Sequence, residues 1–160
     1  MRLTTMTDYA MRMLMYVAQH PDRLCTIAEI ARYYDVSEPH LMKVTHRLAQ
    51  HGWLETLRGK HGGMRLARPP EEINLGAILR DMENDFALVE CLDDGSRRCI
   101  LSDRCGLTGV VQGALQQFLR HFEQYTLADI MPGPPASSAP LTQYVKLEKD
   151  VYSPADQGSK

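Results

Sequence analysis

Two short helices joined by a tight turn, with a glycine-rich basic hairpin directly behind them, leave few folds open to this chain. Thr26 and Glu29 have the spacing of a capping box, and Ile27, Ile30 and Ala31 supply the apolar stripe of the helix they open. Asp35-Val36-Ser37 makes the turn. Ser37 is suited to cap the next helix, and Pro39 falls in its first turn, where a missing N–H does no harm. That helix runs through Leu41, Val44 and Leu48 to Gly52, a residue that ends helices. This is the layout of a helix-turn-helix. Trp53 to Leu57 then reads as a strand, Arg58-Gly59-Lys60-His61-Gly62-Gly63 as a loop and Met64 to Ala67 as a returning strand. The expected fold is mainly α: a winged helix-turn-helix DNA-binding domain followed by a long C-terminal dimerisation helix.

The flanking segments complete that domain. Met6, Ala10, Met13, Leu14 and Val17 recur at helical spacing and predict a first helix over about Thr7 to His20. Asn74 is placed to cap a fourth helix, Leu75 to about Glu83. Residues 85–106 carry Gly, Asp and Ser with little periodicity and read as a cysteine-bearing loop. From Leu107 to about Tyr125 a long helix follows, with Val111, Leu115, Phe118, Phe122 and Tyr125 at alternating spacings of four and three. That pattern is a short coiled-coil seam, and a single chain has little else to bury it against. The expected division is 1–84 for the DNA-binding domain, 85–106 for a cluster-binding loop, 107–131 for the dimerisation helix and 132–160 for a tail. The tail's Pro-Gly-Pro-Pro-Ala-Ser-Ser-Ala-Pro run has too few apolar groups to offset its ordering entropy, so a mobile tail is expected.

A net charge of −2 argues against nucleic acid if taken alone. Its distribution reverses the inference. Arg58 to Arg68 holds four Lys/Arg, one His and no acid, whereas Asp81 to Asp94 holds six acids. Basic charge unaccompanied by acid is therefore concentrated in the segment that would meet phosphates. In a helix-turn-helix the N-terminal residues of the second helix meet base edges. Ser37, Glu38, His40, Lys43, Thr45 and Arg47 are the exposed candidates, with Lys43 and Arg47 four apart on one face. The wing adds Arg58, Lys60, His61 and Arg65, and its Gly62 and Gly63 would let backbone approach DNA closely.

Four cysteines need an explanation other than disulfides in a cytosolic protein. A cytoplasmic location is expected, because the first residues lack a signal peptide's apolar stretch and no run reaches the roughly 20 apolar residues that cross a membrane. Cys25, alone ahead of the second helix, reads as a small core residue. Cys91, Cys99 and Cys105 have seven and five residues between them, and three soft thiolates in one loop can meet at one metal or cluster. On spacing alone an iron–sulfur cluster, zinc and three reduced thiols all remain open, because the paired C-x-x-C of zinc fingers and ferredoxins is missing. A four-iron cluster usually takes four ligands, so a fourth would have to come from another side chain, a small molecule or a partner subunit.

Met1-Arg2-Leu3-Thr4, Met6-Thr7-Asp8-Tyr9, Val36-Ser37, the wing Arg58-Gly59-Lys60 with Gly62-Gly63, the three downstream cysteines and Tyr125-Thr126-Leu127-Ala128-Asp129 together resemble the Rrf2 family of winged-helix regulators. The similarity spans Met1 to Ile130 and is strongest to the family's nitric-oxide-sensing repressors. The resemblance implies a homodimer that binds a palindromic, AT-rich operator in double-stranded DNA and represses genes for nitric oxide detoxification. It further implies a 4Fe–4S cluster (2Fe–2S being a form open to the isolated protein) on Cys91, Cys99 and Cys105. The fourth ligand it implies is Asp8 from the partner subunit; Arg12, one turn on, is a candidate for coupling to the cluster. By its residues alone Asp8 reads as a surface carboxylate paired with Arg12 one turn on. Two departures stand out. The Cys91–Cys99 gap is longer than the family's, and the tail from Pro132 lies outside the resemblance. The family's iron–sulfur biogenesis regulator has a histidine three residues after its last cysteine, and Thr108 stands there in this chain.

Enzyme classes find no support: there is no P-loop, nucleotide fingerprint or H-E-x-x-H. A zinc- or thiol-redox-controlled repressor is the alternative reading of the same residues, and an electron-transfer module would leave the basic wing without a purpose.

Overall fold

The computed structural model describes residues 2–89, 92 and 105–131. Helix α1 is Thr5–Ala18, α2 is Ile27–Tyr34 and α3 is Glu38–Gln50. Strands β1, Leu54–Leu57, and β2, Gly63–Leu66, form an antiparallel hairpin in which Leu54 faces Leu66 and Leu57 faces Gly63. A single 3-10 turn, Pro70–Glu72, leads into α4, Leu75–Met82. After the cysteine segment come α5, Gly106–Glu123, and a last 3-10 turn, Ala128–Ile130.

Local chemistry sets most of these boundaries. α1 begins two residues before the predicted Thr7, because Thr4 takes the cap position and its hydroxyl accepts from the Thr7 N–H. Thr26 and Glu29 form the expected capping box: the Thr26 hydroxyl bonds both the Glu29 N–H and its carboxylate. Asp35 ends α2 in the left-handed region at φ 53°. Gly52, at φ 71°, does the same after α3, where its missing side chain removes the strain. Asn74 caps α4 by accepting from the Ala77 N–H. Ser37 departs from expectation. It occupies the cap position of α3, but its hydroxyl lies 2.8 Å from His40 Nδ1 rather than on a backbone N–H.

One core holds α1, α3, α4 and the base of the wing together. Met13, Leu14, Ile30, Leu41, Leu48, Met64, Ile78 and Met82 are fully enclosed in it. Cys25 is also wholly buried, as its sequence position suggested. Its main chain exchanges two hydrogen bonds with Met64 at 2.9 and 2.7 Å, so it adds a bridge to the edge of the hairpin. Burial pushes its thiol up to about 11 against the pull of Arg23, leaving it protonated and inert.

The last turns of the described chain belong to this same core. Leu127 is fully buried and donates its N–H to the Ile73 carbonyl at 2.8 Å. Leu75 N–H reaches the Tyr125 carbonyl, and the Asn74 amide reaches the Glu123 carbonyl. Gly76 lets α5 lie against α4, since a Cβ there would meet Glu123. The residues around 127, which follow the end of α5 at Glu123, thus pack with the DNA-binding domain. The N-terminal part of α5 is different. No residue of α5 is buried, and Leu107 and Val110 stand 60 and 69% exposed. Val111, Leu115, Phe118 and Phe122 of the expected seam are half-buried, while Tyr125 is exposed. Among the described residues no helix is long and apolar enough to cross a membrane.

Candidate nucleic-acid interface and metal centre

The rotation of α3 follows from what it buries. Leu41, Val44, Thr45 and Leu48 face the core, which turns Glu38, Pro39, Met42, Lys43 and His46 to solvent. His40 is exposed too, with its ring oriented by Ser37. Thr45, expected on the outer face, is buried instead. Its hydroxyl donates to the Leu41 carbonyl at 2.8 Å and contacts the Met13 sulfur at 3.4 Å, an arrangement that the short polar side chain allows inside a helix.

Arg47 is likewise drawn inward. Its guanidinium donates to the Asp81 carbonyl at 2.8 Å, to Asn84 Oδ1 at 2.9 Å and to the Glu83 carbonyl at 3.4 Å. These acceptors lie at and just beyond the C-terminus of α4, where a cation also answers the helix dipole. Lys43 and Arg47 therefore do not act as one basic face: Lys43 projects to solvent, and Arg47 fastens α3 to α4. Sequence spacing alone could not separate them. Met42 and His46, absent from the sequence-based set, sit on the outer row of α3, and their i, i+4 spacing from Glu38 is the sequence signal that places them there.

The wing carries its charge outward. Arg58, Lys60 and His61 are exposed and have no ion pair or side-chain hydrogen bond among the described residues. Arg65 differs: it is paired across the strands with Glu55 at 2.7 Å. Arg68 stacks on Trp53, 5.1 Å from the ring centroid. Gly62 and Gly63 serve the hairpin itself. A Cβ on Gly62 would collide with the Leu57 carbonyl oxygen, and one on Gly63 would lie 2.7 Å from the Cys25 carbonyl oxygen. The space their missing side chains leave is filled by the protein's own backbone.

Asp8 lies in the first turns of α1, with its carboxylate held by Arg12 through Nε at 3.2 Å and Nη2 at 2.8 Å. Both side chains are nearly half exposed, so the pair is weak and the carboxylate accessible. The protomer thus shows the surface pairing that the residues alone suggested. Cys105 occupies the cap position of α5 and is half-exposed. The N–H of Thr108, then that of Leu107, together with the Thr108 side chain, hold its thiol below the usual cysteine range. A helix start that favours thiolate supplies the soft donor that iron or zinc takes. Cys91 and Cys99 lie outside the described residues. Among the described residues no three His, Cys, Asp or Glu side chains converge on one point.

One further network joins these regions. The Glu83 carboxylate accepts from the Thr4 N–H at 2.8 Å, and Glu83 is one of the residues whose main chain Arg47 holds. The start of α1, the end of α3 and the segment running towards Cys91 therefore meet at one point.

Comparison with known proteins agrees with this architecture. Residues 3–133 match the family described as Rrf2, iron-dependent transcriptional regulator. The HTH-type transcriptional regulator NsrR of Halalkalibacterium halodurans is 46% identical over 82% of this chain and 90% of its own length. NsrR of Bacillus subtilis is 45% identical over the same shares. Protein aau3 of Rhizobium meliloti is 44% identical over 84% of this chain and 88% of its own. Among solved structures, IscR of T. potens superposes with a TM-score of 0.64 at 24% identity, covering 81% of this chain and 85% of that one. CymR, the global cysteine regulator of B. subtilis, gives 0.60 at 25% identity, covering 81 and 95%. A family match across most of the chain, on a helix-turn-helix with a basic wing, identifies a DNA-binding transcriptional regulator: the chain belongs to the Rrf2 family.

Proposed function

We propose that the protein is a cytoplasmic homodimeric repressor that senses nitric oxide through an iron–sulfur cluster. In this reading α3 and the wing of each subunit grip one half of a palindromic, AT-rich operator. Cys91, Cys99 and Cys105 hold a 4Fe–4S cluster, and the partner subunit's Asp8 completes its ligand set. The exposed Leu107 and Val110 of α5 would be covered by the second subunit. When bound, the cluster offers iron that nitric oxide can ligate.

The observation that carries this reading is the network at Glu83. It bonds the helix bearing Asp8, the helix that would read DNA and the segment leading to Cys91. A change in how the cysteine segment is held pulls on Glu83 and Asn84, and through Arg47 on the end of α3. A dimer reads half-sites about 34–36 Å apart, so a small displacement of each reading helix misplaces both. Asp8 acts at the other end of the network. As a ligand its carboxylate must leave or share its pair with Arg12, and an oxygen donor is a poorer match for cluster iron than thiolate. Arg12 stands ready to recapture a released carboxylate.

An anaerobic titration of the purified protein with nitric oxide tests the proposal, following visible absorbance and retention of an operator fragment in the same samples. Bleaching of a brown chromophore in step with DNA release is the expected result. A colourless protein, or bleaching without release, overturns it and leaves the zinc or thiol-redox reading of the same cysteines. Asp8→Ala should still dimerise but respond differently to nitric oxide, and an unchanged spectrum and response would remove Asp8 from the ligand set.

A further inference from the structure

The outer row of α3 holds a long apolar side chain where a DNA reader ordinarily places an amide or a guanidinium. Burial of Leu41, Val44, Thr45 and Leu48 fixes the rotation of the helix, and the Arg47 bonds to α4 fix its far end. Glu38, Met42 and His46 then follow one another at intervals of four on the solvent side, with Met42 in the middle and 59% exposed. A single exposed hydrophobic residue is ordinary on a protein surface. This one is distinguished by its place. It lies beside Lys43, on the helix that the fold presents to DNA, and in the half of that helix that meets base edges.

The remaining chemistry of the row narrows its role. The bidentate readers of the major groove are Arg or Lys for guanine and Asn or Gln for adenine. The first three turns of α3 hold no Asn or Gln, and the guanidinium of Arg47 is committed to α4, which leaves Lys43 as the bidentate reader of that surface and a guanine as its target. Met42 has no donor and only a weak acceptor, so it cannot read a hydrogen-bonding edge. The major-groove edge of thymine carries the one apolar group available there, its C5 methyl. A flexible thioether suits such a contact, because it can adapt to the groove without a fixed geometry.

From this placement we infer that Met42 is a specificity-determining residue, packing on a thymine methyl in each half-site and selecting T·A at that position. The inference rests on the reading that α3 enters the major groove. Its test keeps the two apart. Duplexes are selected from a randomised pool by the protein purified anaerobically, and each thymine of the selected sequence is replaced in turn by uracil, which removes only the methyl. Wild-type protein should lose about fourfold in affinity per half-site at one thymine, the worth of one buried methyl group. Met42→Ala, an exposed substitution by a strong helix former, should keep its circular dichroism and show no loss at that uracil. If no thymine is sensitive, or if the Ala variant shows the same loss, Met42 does not read thymine although the protein reads DNA. If the pool yields no enriched sequence, the DNA-reading function fails and the inference fails with it.

Discussion

Nε of Arg47 lies 2.8 Å from the Asp81 carbonyl oxygen, which fastens the last turn of α3 to the end of α4. Two more acceptors, Asn84 Oδ1 and the Glu83 carbonyl, share the same guanidinium. Hydrogen bonds to a charged group are worth about 1.5–3 kcal/mol where partly buried. Arg47→Ala should therefore lower unfolding free energy by about that amount. Lys should not rescue it, because an ammonium cannot reach three acceptors spread over a planar fork. The salt dependence of DNA binding should be unchanged in Arg47→Ala. A reduced salt slope with unaltered stability would return Arg47 to the DNA surface.

The wing offers a graded test of charge. Each phosphate contact contributes about 0.9 to the slope of log affinity against log salt. Arg58→Ala and Lys60→Ala should each reduce the slope by about that increment, since neither charge is paired among the described residues. Arg65 is already neutralised by Glu55, so Arg65→Ala should change the slope less. Glu55→Gln should strengthen binding by releasing Arg65. Filter binding or fluorescence anisotropy across a range of salt concentrations separates these outcomes, and equal slopes for all three arginine and lysine variants would contradict the pairing.

Legibility in the sequence followed the range of the interactions. The caps at Thr26 and Asn74, the stop at Gly52 and the hairpin are local, and each was readable from residues within one or two turns. Arg47 and Thr45 were misplaced because their partners lie 34 and 32 positions away, in α4 and α1. A heptad-like spacing cannot say which neighbour claims a side chain. The same limit hid the role of Leu127: its burial depends on Ile73, far upstream, although the Thr126–Asp129 pair marks a local turn there, with the Asp129 carboxylate accepting from both Thr126 N–H and hydroxyl. Gly62 and Gly63 are legible as special from the sequence, and the fold adds a reason of its own that spacing could not show: the chain's backbone fills the space beside them. Asp8 drew its ligand role only from family likeness, since its visible partner is Arg12.

Cys25 gives the fold a defined alkaline limit. Its thiol is pushed up to about 11 by burial, above the ordinary cysteine value near 9. A group raised on folding contributes stability that is fully present below its unfolded pKa and lost as pH rises through the folded one. Between about pH 9 and 11 the unfolded chain releases this proton while the native state keeps it, a loss approaching about 2–3 kcal/mol. Urea midpoints should fall over that interval in wild type and fall less in Cys25→Ala, the difference cancelling the contribution of the tyrosines. Cys25 should also resist alkylation at pH 8 in the native state. Rapid native labelling there would mean that the strand bridge to Met64 opens freely.

Leu127 tests whether the turns that follow α5 are an appendage or part of the DNA-binding domain. Its side chain is fully enclosed, and its N–H is bonded to Ile73. Truncating a buried leucine to alanine costs about 2–5 kcal/mol, depending on how far the cavity collapses. The chain has one tryptophan, Trp53, which lies at the base of the wing and donates to Asp81 at 2.7 Å. If residues 123–131 complete the core, Leu127→Ala must lower the urea midpoint followed by Trp53 fluorescence as much as the midpoint followed by circular dichroism. An independent C-terminal helix would instead lose helicity while Trp53 and DNA binding stayed as in wild type. Coincident transitions are expected, because the backbone bonds from Leu75 to Tyr125 and from Leu127 to Ile73 tie the C-terminal turns to the N-terminal end of α4, beside the buried Ile73.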